Sequence, residues 1–150
     1  MRAAPTPSLW RRAFAVVALV VSLLLCAAAG RLNTSNAPKG ATTQERLAYI
    51  SSLGWEVTGE ERCEEVSLPQ RLTGPYDDYL ALQREVGFDL SSYAGKTLIR
   101  YCYEVTNYPD TSDTVLLDLL VHEGGIVGGD VRSPALDGFI ASLAYPAETP

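Results

Sequence analysis

One histidine, His122, and three cysteines are the only soft ligands in this chain of 150 residues. No Cys or His pair among them has the spacing of a metal site, so no metal or other cofactor is expected. No Ser or Cys stands in a recognisable nucleophile elbow or catalytic signature around His122. Acid is missing from residues 1–31, which hold four arginines. Base is scarce after them: eight basic residues face eighteen acids, a net charge of −10. That balance excludes nucleic acid as a partner, because neutralising phosphate supplies most of such affinity. It also argues against direct contact with an anionic membrane surface.

What is present begins with Arg11-Arg12 followed by seventeen uncharged residues, Ala13 to Ala29, and a polar turn at Gly30-Arg31. A basic start, an apolar run and then small residues form the layout of a secretory signal. The run also reaches the short limit for crossing about 30 Å of hydrocarbon. Residues 1–30 therefore read as a cleaved signal or as an uncleaved anchor, with membrane contact through residues 13–29. In the anchored form the preceding arginines hold the N-terminus inside. Lipid attachment at Cys26 is disfavoured, because Leu25 stands where lipoprotein processing wants a small residue. Residues 31–41 are small and polar and read as a linker, leaving 42–146 as a single domain.

Thr42 and Glu45 form a capping box, and Leu47, Ile50 and Leu53 follow at helical spacing. Gly54 suits a left-handed helix end, with Trp55 folding back onto Ile50 as a core anchor. A strand over 55–68 must contain a bulge, because Trp55 and Val57 occupy one parity and Val66 and Leu68 the other. Pro75 opens a second helix with Asp77 and Asp78 in its first turn and Tyr79, Leu82, Gln83 and Val86 on one face. Gly87-Phe88 repeats the Gly54-Trp55 device. Alternation then marks strands over 97–108 and 114–123. Gly124-Gly125 reads as a tight hairpin, and a last strand over 126–131 must be kinked or bulged by Gly128-Gly129. Leu136 to Leu143 is a short closing segment. The class is α+β: an antiparallel sheet of about four strands, the last three a meander, with two helices packed on one face.

Candidate chemistry is sparse. Gly124 to Asp130 has the glycines of a phosphate loop, but a strand follows where a helix N-terminus is required. Asn107, Asp110 and Asp113 could offer oxygens to calcium, yet the Gly and distal Glu of a dedicated loop are missing, and an Asx-stabilised turn suits them better. Glu60, Glu61, Glu64 and Glu65 form the densest acid cluster and read as a solvated strand surface. Asp118 shares a strand face with His122, four residues away; among eighteen acids such a pairing is uninformative. Cys63 and Cys102 form a candidate disulfide, or stand as two separate thiols. Nothing in the sequence sets the register between their strands.

The segments Tyr79 to Gln83, Gly87 to Lys96, Tyr101 to Pro109, Gly128 to Asp130 and Leu136 to Phe139, with Leu53 to Val57 ahead of them, occur together in this order. As a set they resemble the bacterial domain-of-unknown-function family catalogued as 4830. The resemblance implies short envelope proteins of Gram-positive anaerobes with one N-terminal membrane segment and this domain outside. It implies no activity and supplies no functional residues. The expected function is a non-enzymatic extracytoplasmic binding or sensing module with a protein partner in the envelope. The alternatives are a small secreted hydrolase or inhibitor using a groove near the Gly-rich hairpin with His122 or Asp130, and a structural subunit of an envelope complex.

Overall fold

The computed structural model describes residues 37–146 except 110 and 112. The expected signal or anchor lies outside the described residues. Among the described residues no helix is long and apolar enough to cross a membrane.

Helix α1 runs Thr43–Ser52. The Thr42 side chain accepts from the Glu45 N–H, and the Glu45 carboxylate returns the bond to Thr42, so the capping box forms. The helix ends as its sequence expects. Gly54 is left-handed, with φ 93°, and the Trp55 N–H reaches back to the Ile50 carbonyl. The chain then bridges to β2 at Val57↔Val105 and enters β1, Arg62–Ser67. Four residues separate Val57 from Arg62, against two between their partners Cys102 and Val105. The two extra residues form an irregularity at Thr58 to Glu61 that leaves parity unchanged; Val57 and Val66 differ in parity because they face opposite sides of the sheet, Val57 beside Val105 and Val66 beside Leu98.

A 3-10 turn, Gly74–Tyr76, leads into α2, Asp77–Glu85. The Phe88 N–H closes this helix on the Gln83 carbonyl, as Trp55 closes α1. Strands β2 (Thr97–Glu104), β3 (Leu116–His122), β4 (Gly125–Arg132) and β5 (Ile140–Ala141) follow. The sheet has five antiparallel strands in the order β1-β2-β3-β4-β5. The β3–β4 turn falls at Glu123-Gly124, both with positive φ. The register shift beside Leu120 and Val121 is the bulge expected next to Gly128-Gly129. The closing segment contributes β5, so the sheet has one strand more than the sequence suggested.

The helices do not share a face. Ile50 of α1 packs with Trp55, Tyr103, Leu117, Leu119 and Val121 on one side of the sheet. Leu80 of α2 packs with Leu72, Leu90, Leu98, Leu120 and Val127 on the other. The reason lies in β3, where Leu116 to Val121 are buried at both parities. Each buried Leu contributes about 1.5–3 kcal/mol only if its own side of the sheet is covered, so one helix goes to each side.

Helix α2 also seals the outer edge of β4. The Gln83 side chain, fully buried, donates from Nε2 to the Gly129 carbonyl and accepts the Gly129 N–H at Oε1, both at 2.9 Å. It stands where a neighbouring strand's backbone would stand. Gly129 has to be glycine: a Cβ there would lie 2.4 Å from the Asp118 carbonyl oxygen. Pro38, Lys39 and Gly40, expected as the end of a linker, pair with the same edge. Gly40 N–H donates to Gly124, and Ile126 N–H donates to Pro38.

Candidate functional site

Register lines up one row of side chains across four strands. Arg62 faces Cys102, Cys102 faces Asp118, and Asp118 faces Asp130. Partners directly opposite share a sheet face, about 4.5–5.5 Å apart at Cβ, so all four lie on the α2 side. The neighbouring rows on that face place Glu64 beside Arg100 and Leu116 beside Arg132. These rows bound a recess of about 230 Å³.

Two carboxylates are buried in the same row. Asp118 is 1% exposed and Asp130 is 5% exposed. Asp118 Oδ2 accepts from Arg132 Nε at 2.9 Å, and Arg100 Nη1 lies 3.8 Å away. Asp130 Oδ2 accepts from the Tyr79 hydroxyl at 2.7 Å. The remaining oxygen of each, Oδ1, is buried without a hydrogen-bond partner. Burial raises the Asp130 carboxyl to about 6, opposed by the Tyr79 hydrogen bond and reinforced by the charge of Asp118. Burial, with the neighbouring Asp118 carboxylate, pushes Cys102 up to about 11. The thiol is therefore protonated at neutral pH and is not a ready nucleophile.

The arginines are not equivalent. Asp118 holds Arg132 and Arg100 by their inner edges, and Glu64 meets Arg100 from the surface. Arg62 is exposed and has no ion-pair partner among the described residues. Arg62, Arg100 and Arg132 line the recess with Glu64, and with the buried Asp118 and Asp130 beside them the charges balance at three of each sign.

A second charged network packs on the opposite face. Arg46, 3% exposed, donates to Glu61 through Nε and Nη2, to the Gly40 carbonyl at 2.7 Å and to the Tyr103 hydroxyl at 3.1 Å. Its guanidinium lies 3.6 Å from the Tyr101 ring centroid. All three guanidinium nitrogens donate to the protein itself, so this cluster anchors α1 and residue 40 to the sheet. One member of the acid cluster, Glu61, is thereby a structural counter-ion, while Glu60, Glu64 and Glu65 are exposed as expected.

The other residues singled out from sequence are dispersed. Cys63 faces Tyr101, whereas Cys102 faces Arg62, so the two thiols lie on opposite sides of the sheet and both are free. A single residue of register separates this arrangement from a bridged one. His122 Nδ1 lies 3.3 Å from the Thr97 carbonyl, which can only accept, and its ring meets Tyr93 edge-on at 5.5 Å. Asn107 bonds the Glu56 N–H and the Gly54 carbonyl, a turn role. Asp110 lies outside the described residues. Asp130 belongs to β4, so the glycines before it form a hairpin strand and not a phosphate loop.

Sequence reasoning passed over Asp118–Asp130 and Gln83. A signal existed: Asp118 interrupts Val115-Leu116-Leu117 and Leu119-Leu120-Val121, and Asp130 follows Ile126-Val127-Gly128-Gly129. An acid inside an apolar strand is either buried or turned to a wet face, and only the cover on that face decides which.

The chain matches the family described as Domain of unknown function (DUF4830) over residues 49–131, more than half of its length. It belongs to that family. The match ends with β4, so it takes in β1 to β4, both buried carboxylates, Tyr79, Gln83 and two of the three recess arginines, leaving Arg132 one residue beyond it. No curated protein and no solved structure matches the chain.

Proposed function

We propose that the protein is a membrane-tethered extracytoplasmic binding module that takes a small carboxylate-bearing ligand in the arginine-lined recess. The tether and compartment are read from the basic start and apolar run of residues 1–31. The observation that carries the binding reading is Asp118. A carboxylate buried to this degree is expensive unless paired, and this one is spent on orienting Arg132 and Arg100 beside an open recess. Arg62 then contributes guanidinium donors with no partner of their own, in the fork geometry that suits a carboxylate. Three arginines gathered around one recess, on a segment of net charge −10, are where an anion finds the least repulsion.

Two experiments test this. The full chain should fractionate with membranes, and a chain beginning near Asn33 should be soluble and folded; recovery of the full chain in the cytosol defeats the tether. Calorimetric titration at low salt with acetate, lactate and free amino acids should give saturable binding for at least one of them. Arg62→Gln should weaken it about tenfold, the loss of one charge-assisted contact, without moving the thermal midpoint. No heat with any of the three, or binding indifferent to Arg62, refutes the recess.

A further inference from the structure

The two edges of the sheet are treated differently. The β4 edge is covered by residues 38–40, by Gln83 and by β5. Among the described residues the β1 edge is bare. The Leu68 N–H donates to the Lys96 carbonyl, so stepping by two, Val66, Glu64 and Arg62 turn their backbone groups toward β2. The bond from Val105 to Val115 gives the same phase from the other side, since odd residues of β2 then face β3. Cys63, Glu65 and Ser67 therefore present N–H and C=O groups outward, and among the described residues no backbone bond reaches them. Their side chains are exposed as well.

We infer that β1 pairs with β1 of a second copy of this chain, antiparallel and two-fold, centred on Cys63. In this register Arg62 of each copy faces Glu64 of the other, and Cys63 faces Cys63. Arg62 is exposed and has no ion pair among the described residues, and Glu64, already beside Arg100, extends the pairing to an Arg–Glu–Arg row. The competing symmetric registers centred on Glu64 or Glu65 set a glutamate against its own copy. In the Cys63 register Glu61 faces Glu65 of the second copy, but Glu61 is already neutralised by Arg46. The facing cysteines form a backbone-bonded pair, with Cα atoms about 5.5 Å apart, inside the range a disulfide spans. In an oxidising compartment the two thiols give up two protons and two electrons to a disulfide-class oxidant, which leaves as two thiols. That covalent step rests on the extracytoplasmic reading; the strand pairing does not. This register overlaps Arg62–Glu64 of β1 with itself and sets Glu65–Ser67 against residues 59–61, outside the strand; it is a small interface, and confinement to a membrane raises its effective concentration. The pairing would give a continuous ten-stranded sheet with the two recesses at the shared seam, where Glu64 of the second copy and a recess ligand compete for Arg62.

The test uses the full chain carrying Cys26→Ser, in detergent, treated with oxidised glutathione and followed on non-reducing gels. Supplying the oxidant in vitro keeps the result independent of the compartment. A covalent dimer is expected that Cys63→Ser abolishes and Cys102→Ser leaves intact. Arg62→Glu replaces both attractive cross-strand pairs with like charges and should slow cross-linking about tenfold. The exchange Arg62→Glu with Glu64→Arg should restore the rate. Absence of a dimer, a dimer through Cys102, or equal rates for all three charge patterns overturns the proposal.

Discussion

Asp130→Asn tests the description of the buried carboxylate pair at the point where it is most exposed to error. In the folded chain Asp130 meets Tyr79 from α2, Asp118 from β3, Arg132 on its own strand and Arg100 on β2. Burial and the neighbouring carboxylate raise its carboxyl to about 6 from an ordinary 3.8. Holding it charged at neutral pH therefore costs the fold about 3 kcal/mol, at about 1.4 kcal/mol for each tenfold change in proton affinity. The sign follows from proton counting. Between about pH 4 and 6 the folded chain keeps a proton that the unfolded chain has lost, so stability falls as pH rises through that window and levels off above it. Asn removes the charge and keeps the shape, and its carbonyl can still accept from Tyr79. The expected outcome is a gain of about 1–3 kcal/mol at pH 7.5, short of the full amount because the new amide also needs partners. Little change is expected at pH 4. Urea unfolding of both proteins at a series of pH values, followed by intrinsic fluorescence, measures this directly. Equal destabilisation by Asp130→Asn at every pH would refute the reasoning. It would mean that the ionised carboxylate, held by Tyr79, stabilises the fold.

Trp55→Ala should cost about 3–5 kcal/mol in the same assay. Trp55 is 2% exposed, donates from Nε1 to the Leu143 carbonyl at 2.8 Å and stacks on Tyr108; a loss under about 1 kcal/mol would contradict its burial. Gln83→Leu keeps the volume but leaves the Gly129 N–H and C=O buried without partners. It should cost about 2–4 kcal/mol and speed amide exchange along the β4 edge. Unchanged exchange at Gly129 would mean that water replaces the side chain.

Most of the elements follow from local signals. The capping box at Thr42, the glycine-aromatic helix ends at Gly54 and Gly87 and the irregularity of β4 beside Gly128 are where the residue pattern places them, while the β3–β4 turn falls one residue before Gly124-Gly125. Each depends on bonds between residues close in the chain. The α+β class follows from the same signals, and the family from several of these segments in order. Which side each helix covers was not legible, because β3 is apolar at both parities and alternation cannot choose a face when neither is polar. The strand status of Ile140–Ala141 and the edge role of residues 38–40 depend on a β4 edge that exists only in the folded sheet. The cysteines show the limit most simply: both were visible as strand residues, and one residue of register decides whether they can meet. The buried site was hidden for the same reason. Asp118 and Asp130 are twelve residues apart in the chain and become neighbours only through the β3–β4 register, while Tyr79 and Arg132 become their partners only after α2 folds over that face. Sequence determines which strands form; the register and the cover over each face decide which side chains lose water, and loss of water is what turns an ordinary aspartate into a candidate site.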